Sequence, residues 1–104
     1  MKIQFNTDKT ISGAERQEEY FATMIEEGLQ RFDSSISRIE VHVSDKNGIK
    51  EGINDIDCLI EARLEGRQPI AVSAKGNSTE IAVSSAIKKM KASLETILGR
   101  AQNH

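Results

Sequence analysis

The stretch Asp57-Cys58-Leu59-Ile60-Glu61-Ala62-Arg63-Leu64-Glu65-Gly66-Arg67-Gln68-Pro69-Ile70-Ala71-Val72-Ser73-Ala74-Lys75 decides the fold. It holds two alternating runs joined by a turn. Cys58, Ile60, Ala62 and Leu64 share one side of the first run, and Asp57, Leu59, Glu61 and Arg63 share the other. Successive side chains of a strand point to opposite faces, so the pattern predicts a strand over 57–64 with one apolar face. Ile70, Val72 and Ala74 repeat the pattern over 70–75. Residues 65–69 form the turn, and Pro69 stands at the start of a strand, where a missing N–H is tolerated.

Working toward the N-terminus, residues 36–44 alternate again. Ile39, Val41 and Val43 point one way, and Glu40, His42 and Ser44 the other, which predicts a further strand with one wet face. Residues 45–55 carry two glycines and mixed charge without a sustained period, so they read as a long exposed hairpin loop. Upstream, Ser12-Gly13-Ala14-Glu15 fits a capping box, in which serine and glutamate satisfy reciprocal backbone N–H groups. A helix is predicted over 13–32, with the apolar stripe Phe21, Met24, Ile25, Gly28, Leu29 and Phe32. Gly28 costs about 1 kcal/mol in a helix interior, which close packing on the sheet would explain. Residues 2–6 alternate with Ile3 and Phe5 inward and predict a short first strand.

Toward the C-terminus, Asn77 or Ser78 caps a second helix. Its stripe is Val83, Ala86, Ile87, Met90, Leu94 and Ile97, and Gly99 is a natural stop. The order is β-α-β-β-β-α. Each strand has one apolar face, so both helices are expected to cover the same side of a four-stranded mixed sheet. The first helix crosses over between parallel first and second strands, and an antiparallel meander follows. The fold class is α+β, a two-layer sandwich. A chain of 104 residues corresponds to one domain, taken as 1–100 with a tail at 101–104.

Composition narrows the chemistry. Hydrophobic residues make up 38% and charged residues 29%, a balance that excludes collagen-like repeats and opposes disorder. No apolar run approaches a membrane span, and the N-terminus turns polar too early for a signal peptide, so a cytoplasmic location is expected. Cys58 is the single cysteine and cannot form an internal disulfide. On an inward strand position it reads as a small buried hydrophobe. The two histidines are His42, expected in a polar pair with Glu61 or Arg63 across the hairpin, and His104. Asp45-Lys46-Asn47-Gly48 fails as a calcium loop, because an EF-hand needs glycine at its sixth position and glutamate at its twelfth, which here is Ile56. Glycine-rich phosphate loops are absent. No enzyme, cofactor, metal site or small-molecule substrate is therefore expected.

The net charge is −2, unlike the strongly basic balance of a typical nucleic-acid binder. Its distribution is uneven. In the first helix Glu15, Glu18, Glu19, Glu26 and Glu27 face Arg16 and Arg31, a balance of −3. In the second, Lys88, Lys89 and Lys91 against Glu80 and Glu95 give +1, or +2 with Arg100. The lysine cluster reads either as a solvated face or as a phosphate-contacting stripe supported by Lys75, Arg100, Lys46 or Lys50. Arg63 and Arg67 read either as part of a solubilising strand face or as contacts to phosphate or an acidic partner.

The segments Arg38-Ile39-Glu40-Val41-His42-Val43-Ser44-Asp45-Lys46-Asn47-Gly48 and Cys58 through Val72 resemble the ribosome hibernation-promoting factor family, also called ribosome-associated inhibitor A proteins, in a short, acidic branch. The resemblance covers nearly the whole chain. It implies a β-α-β-β-β-α fold akin to double-stranded-RNA-binding domains. It also implies a partner, the small ribosomal subunit with its rRNA, and a role in blocking translation in resting or stressed cells. Lys89 falls on a basic position of the family, with Lys88 and Lys91 close by, while Ala92, Ser93, Thr96 and Leu98 occupy its later basic positions. The candidate phosphate contacts are Lys75, Lys88, Lys89, Lys91 and Arg100, then Arg63 and Arg67. The alternative is a protein-interaction module on the same fold, using the wet sheet face or the 45–55 loop.

Overall fold

The computed structural model describes residues 1–7, 14–45 and 56–99. The elements are β1 (Lys2–Thr7), α1 (Ala14–Gly28), a 3-10 turn (Gln30–Ser35), β2 (Ile36–Asp45), β3 (Ile56–Leu64), β4 (Ile70–Gly76) and α2 (Thr79–Leu94), with a closing π-helical turn (Glu95–Gly99). The strands form one sheet in the order β1-β2-β3-β4. β1 runs parallel to β2, from Lys2 opposite Arg38 to Thr7 opposite Val43. The other two pairings are antiparallel. This is the α+β sandwich expected from the alternation. The capping box at Ser12, most of the 45–55 loop, Arg100 and the tail lie outside the described residues.

One side of the sheet is dry. Ile39, Val41, Cys58, Ile60 and Ala62 are completely buried, as are Ile25 of α1 and Val83, Ala86 and Met90 of α2, and all belong to one cluster. Both helices therefore pack on the same face. Phe5 of β1 and Phe21 of α1 stack with ring centroids 6.0 Å apart, which seats the crossover helix on the first strand. Ile3 and Val72 are only partly buried, because they lie on the two outer strands.

β2 contains a phase change. Ile36 and Ile39 are both buried, although an odd spacing puts them on opposite faces of a regular strand. A register shift between Ile36 and Arg38 absorbs the extra residue, as a β-bulge does. Ser37 sits in it and donates its hydroxyl to the Arg63 carbonyl at 3.1 Å.

Two helix expectations are corrected. α1 ends at Gly28 rather than 32, and the buried Leu29 and Phe32 are delivered by the tighter turn that follows, where the Phe32 N–H bonds the Leu29 carbonyl at 2.9 Å. The close packing at Gly28 is on α2, not on the sheet: a Cβ there would lie 2.7 Å from Ile87 Cγ2. At the other end, Ile97 is exposed and Leu98 is buried. The π-helical turn is wider than an α-turn and moves the inward position on by one residue. Ser78 is the cap of α2, its hydroxyl accepting from the Ile81 N–H at 3.2 Å. Gly76 permits the sharp entry, since a Cβ there would meet the Ala82 backbone nitrogen at 2.7 Å.

Gly28→Ala is expected to lower stability by about 1–3 kcal/mol through overpacking, even though alanine is the better helix former. Ile87→Leu moves the branch away from the contact, so Gly28→Ala should cost less in that background. A double-mutant cycle by urea unfolding measures the coupling, and equal costs in both backgrounds would remove the helix–helix contact as the reason for glycine.

Candidate functional site

The open face of the sheet carries the outward residues of all four strands. The registers place Lys2, Arg38 and Arg63 in one row and Gln4, Glu40, Glu61 and Ala71 in the next. Asn6, His42, Leu59 and Ser73 follow, then Ser44, Asp57 and Lys75. Directly opposed like charges repel, and this face opposes Arg38 with Arg63 and Glu40 with Glu61. The conflict is resolved diagonally. The Arg38 Nε lies 3.3 Å and the Arg63 Nε 3.5 Å from the same Glu40 Oε2. Arg38 also donates to Gln4 Oε1, tying β1 into the network. His42 is opposite Leu59, not Glu61 or Arg63 as the alternation alone suggested.

The candidate cations separate into three places. Lys75 and Lys89 share a shallow depression of about 630 Å³ at the β4 edge, with His42, Ser44, Asp57, Leu59 and Ser73 around it. There the Lys89 ammonium donates to the Ser73 carbonyl at 2.8 Å. Lys88 borders a separate groove of about 520 Å³ between the helices, lined by Met24, Ser78, Glu80, Ile81, Ser84 and Ser85. Arg67 is exposed in the β3–β4 turn at the far end of the sheet, beside Ile97. Arg63 is bound to Glu40, so part of its charge is already answered. Arg100 lies outside the described residues.

The acidic residues near α2 are turned toward the first helix region. Glu95 pairs with Arg31 at 3.6 Å, not with Lys91 one turn earlier. Glu80 accepts from the Tyr20 hydroxyl at 3.3 Å. Among the described residues, no carboxylate lies within ion-pair distance of Lys88 or Lys91. Glu18, Glu19, Glu26 and Glu27 are all exposed on α1. Negative charge thus collects on α1, while α2 and the β4 edge hold lysines.

Among the described residues, no three of histidine, cysteine, aspartate and glutamate converge as a metal site, and no helix is long and apolar enough to cross a membrane. The residues that sequence reasoning missed are Arg38 and Gln4. The alternation places Arg38 outward, but its role depends on the bulge and on the β2–β3 register.

No protein-family model matches the chain, and no curated protein does. Solved structures do match in fold. The N-terminal domain of protein Y from Thermus thermophilus is similar at a TM-score of 0.67 and 15% identity, over 93% of this chain and 99% of that one. A ribosomal subunit interface protein from Coxiella burnetii is similar at a TM-score of 0.73 and 17% identity, over 95% of this chain and 99% of that one.

Cys58 borders the depression at the β4 edge but turns its thiol into the core. Its side chain is completely buried, and burial pushes its thiol from 9.0 up to about 12. Above about pH 9 the unfolded thiol ionises while the folded one keeps its proton. The folded state then binds more protons, so stability falls as pH rises from about 9 to about 12, by up to about 1.4 kcal/mol per unit. Urea unfolding of the wild type and of Cys58→Ala between about pH 8 and 10.5 checks this. The wild type should lose stability more steeply, and parallel profiles would contradict it.

Proposed function

We propose that this chain is a non-enzymatic, cytoplasmic ribosome-associated factor of the hibernation-promoting family. It binds the small subunit through rRNA and modulates translation or ribosome hibernation under stress. The observation that carries the proposal is the end-to-end match of its fold with a ribosomal subunit interface protein, over 95% of this chain and 99% of the other. The resemblance of residues 38–48 and 58–72 to the same family supports it from the sequence side.

Charge placement supports a contact made through phosphates. Cations release counterions from RNA phosphates, and affinity scales with the number of phosphates neutralised. Lys88 and Lys91 lack carboxylate partners among the described residues, so their charge is directed to solvent. With Lys75, Lys89 and Arg100 the contact involves about four or five phosphates, giving a slope of about −4 in log affinity against log salt. The acidic α1 face is repelled by the same phosphates, which orients the domain with α2 and β4 inward. Recognition of this kind reads duplex shape and backbone rather than base sequence. Arg63 and Arg67 are secondary contacts, since Arg63 shares Glu40 with Arg38.

The interleaved signs on the open sheet face favour a second reading, a protein-interaction module on the same fold. Co-sedimentation of purified protein with ribosomes and separated subunits on sucrose gradients distinguishes the two. Migration with the small subunit at low salt, lost as salt rises, is the expected result. Lys88→Glu with Lys91→Glu should reduce association by about tenfold or more at fixed salt, with the circular dichroism spectrum unchanged. Unchanged binding of the double variant would remove these lysines from the interface. Absence of the wild type from every ribosomal fraction at low salt would move the function to the second reading.

A further inference from the structure

Among the described residues β4 is an outermost strand of the sheet, and no strand pairs with one of its sides. Such an edge offers main-chain donors and acceptors to another strand, and proteins blunt it, commonly with lysine. Leu59 is the β3 residue opposite Ser73, and the Ser73 carbonyl accepts from Lys89 of α2 at 2.8 Å. That carbonyl therefore points away from β3. In an antiparallel ladder a residue's N–H and C=O point the same way and alternate sides along the strand, so Ala71 presents its main chain to the outside as well. The sequence of this edge, Ile70-Ala71-Val72-Ser73-Ala74-Lys75-Gly76, is apolar and small with a single charge.

We propose that the β4 edge is a self-association surface for a second copy of this chain, held closed by Lys89. The edge is self-complementary about Ser73. Two antiparallel β4 strands centred there pair Ser73 with Ser73 and Ala71 with Lys75, each through outward-facing main chain. Lys75 then meets a small alanine instead of another lysine. Glu61 is opposite Ala71 on β3, so Glu61 of the second copy stands one strand beyond, about 10 Å from Lys75 across two strand spacings. Two such opposite-charge pairs form by symmetry, and the two sheets become one of eight strands. The Lys89 ammonium occupies the central acceptor of this arrangement. Lys89 thus has a second role at the β4 edge beside the phosphate contact proposed above, and the sedimentation test below reads that role with no ribosome present.

Lys89→Met keeps the aliphatic stem and helix propensity and removes only the ammonium, so it is the primary variant. Analytical ultracentrifugation over a wide concentration range should show the wild type as monomer. Lys89→Met should form a dimer whose dissociation constant is lower by at least about tenfold. Lys89→Arg, which retains a donor, should remain monomeric. Adding Ser73→Pro to Lys89→Met removes the outward N–H without touching the β3 ladder and should restore the monomer. A Lys89→Met protein that is folded by circular dichroism and monomeric at every concentration overturns the proposal. So does a dimer that persists with Ser73→Pro, because its contact then lies elsewhere. If Lys89→Met does not fold, Lys89→Ala takes its place, since it also removes the ammonium and keeps helix propensity: a dimer abolished by Ser73→Pro is expected, and a folded monomer at every concentration overturns the proposal.

Discussion

Everything in this molecule hangs on the one-sided burial of the β2–β3 hairpin. Ile39, Val41, Cys58, Ile60 and Ala62 are sealed under two helices, while Arg38, Glu40, Leu59, Glu61 and Arg63 remain on the open side. A slip of one residue between the two strands would turn one of them over and bury two charges, Arg38 and Glu40 or Glu61 and Arg63. The core thus enforces the register, and the register in turn decides which charges meet. Glu40 lies between two arginines because the dry face allows no other alignment. The open face is therefore ordered by what lies beneath it.

The same geometry organises charge on the scale of the whole domain. Glu95 and Glu80 reach toward Arg31 and Tyr20, which draws the negative charge around α2 back to the first helix region. On α2, Lys88 and Lys91 are left facing solvent with no carboxylate partner among the described residues. A chain of net −2 can present a positive side in this way only by segregating its acids, and α1 carries them. The fold is shared with a ribosomal subunit interface protein, while the charge pattern laid on that frame is this chain's own.

Most of the architecture was legible because period-two alternation is a direct imprint of a half-buried strand. Cys58 and the inward valines of β2 follow from it alone. The departures come from contacts between elements distant in sequence. The need for glycine at position 28 comes from Ile87 of the other helix, and the switch from Ile97 to Leu98 depends on a widened last turn. The candidate cations were visible as residues, but their grouping was not. Lys88, Lys89 and Lys91 look like one cluster in the chain, yet one of them is committed to the β4 main chain. Arg38 and Gln4 escaped notice because their meeting requires both the parallel pairing and the bulge.

The parallel pairing of β1 with β2 has a kinetic consequence. Lys2 meets Arg38 only after the whole of α1 has been laid between them, whereas β3 and β4 are joined by a five-residue turn. Loop-closure entropy makes the meander the cheaper nucleus and the first strand a late addition. On an emerging polypeptide β1 appears before β2 and must wait for a partner synthesised after the crossover. Its short length and the polar alternation of Lys2, Gln4 and Asn6 suit a segment that spends this interval in water.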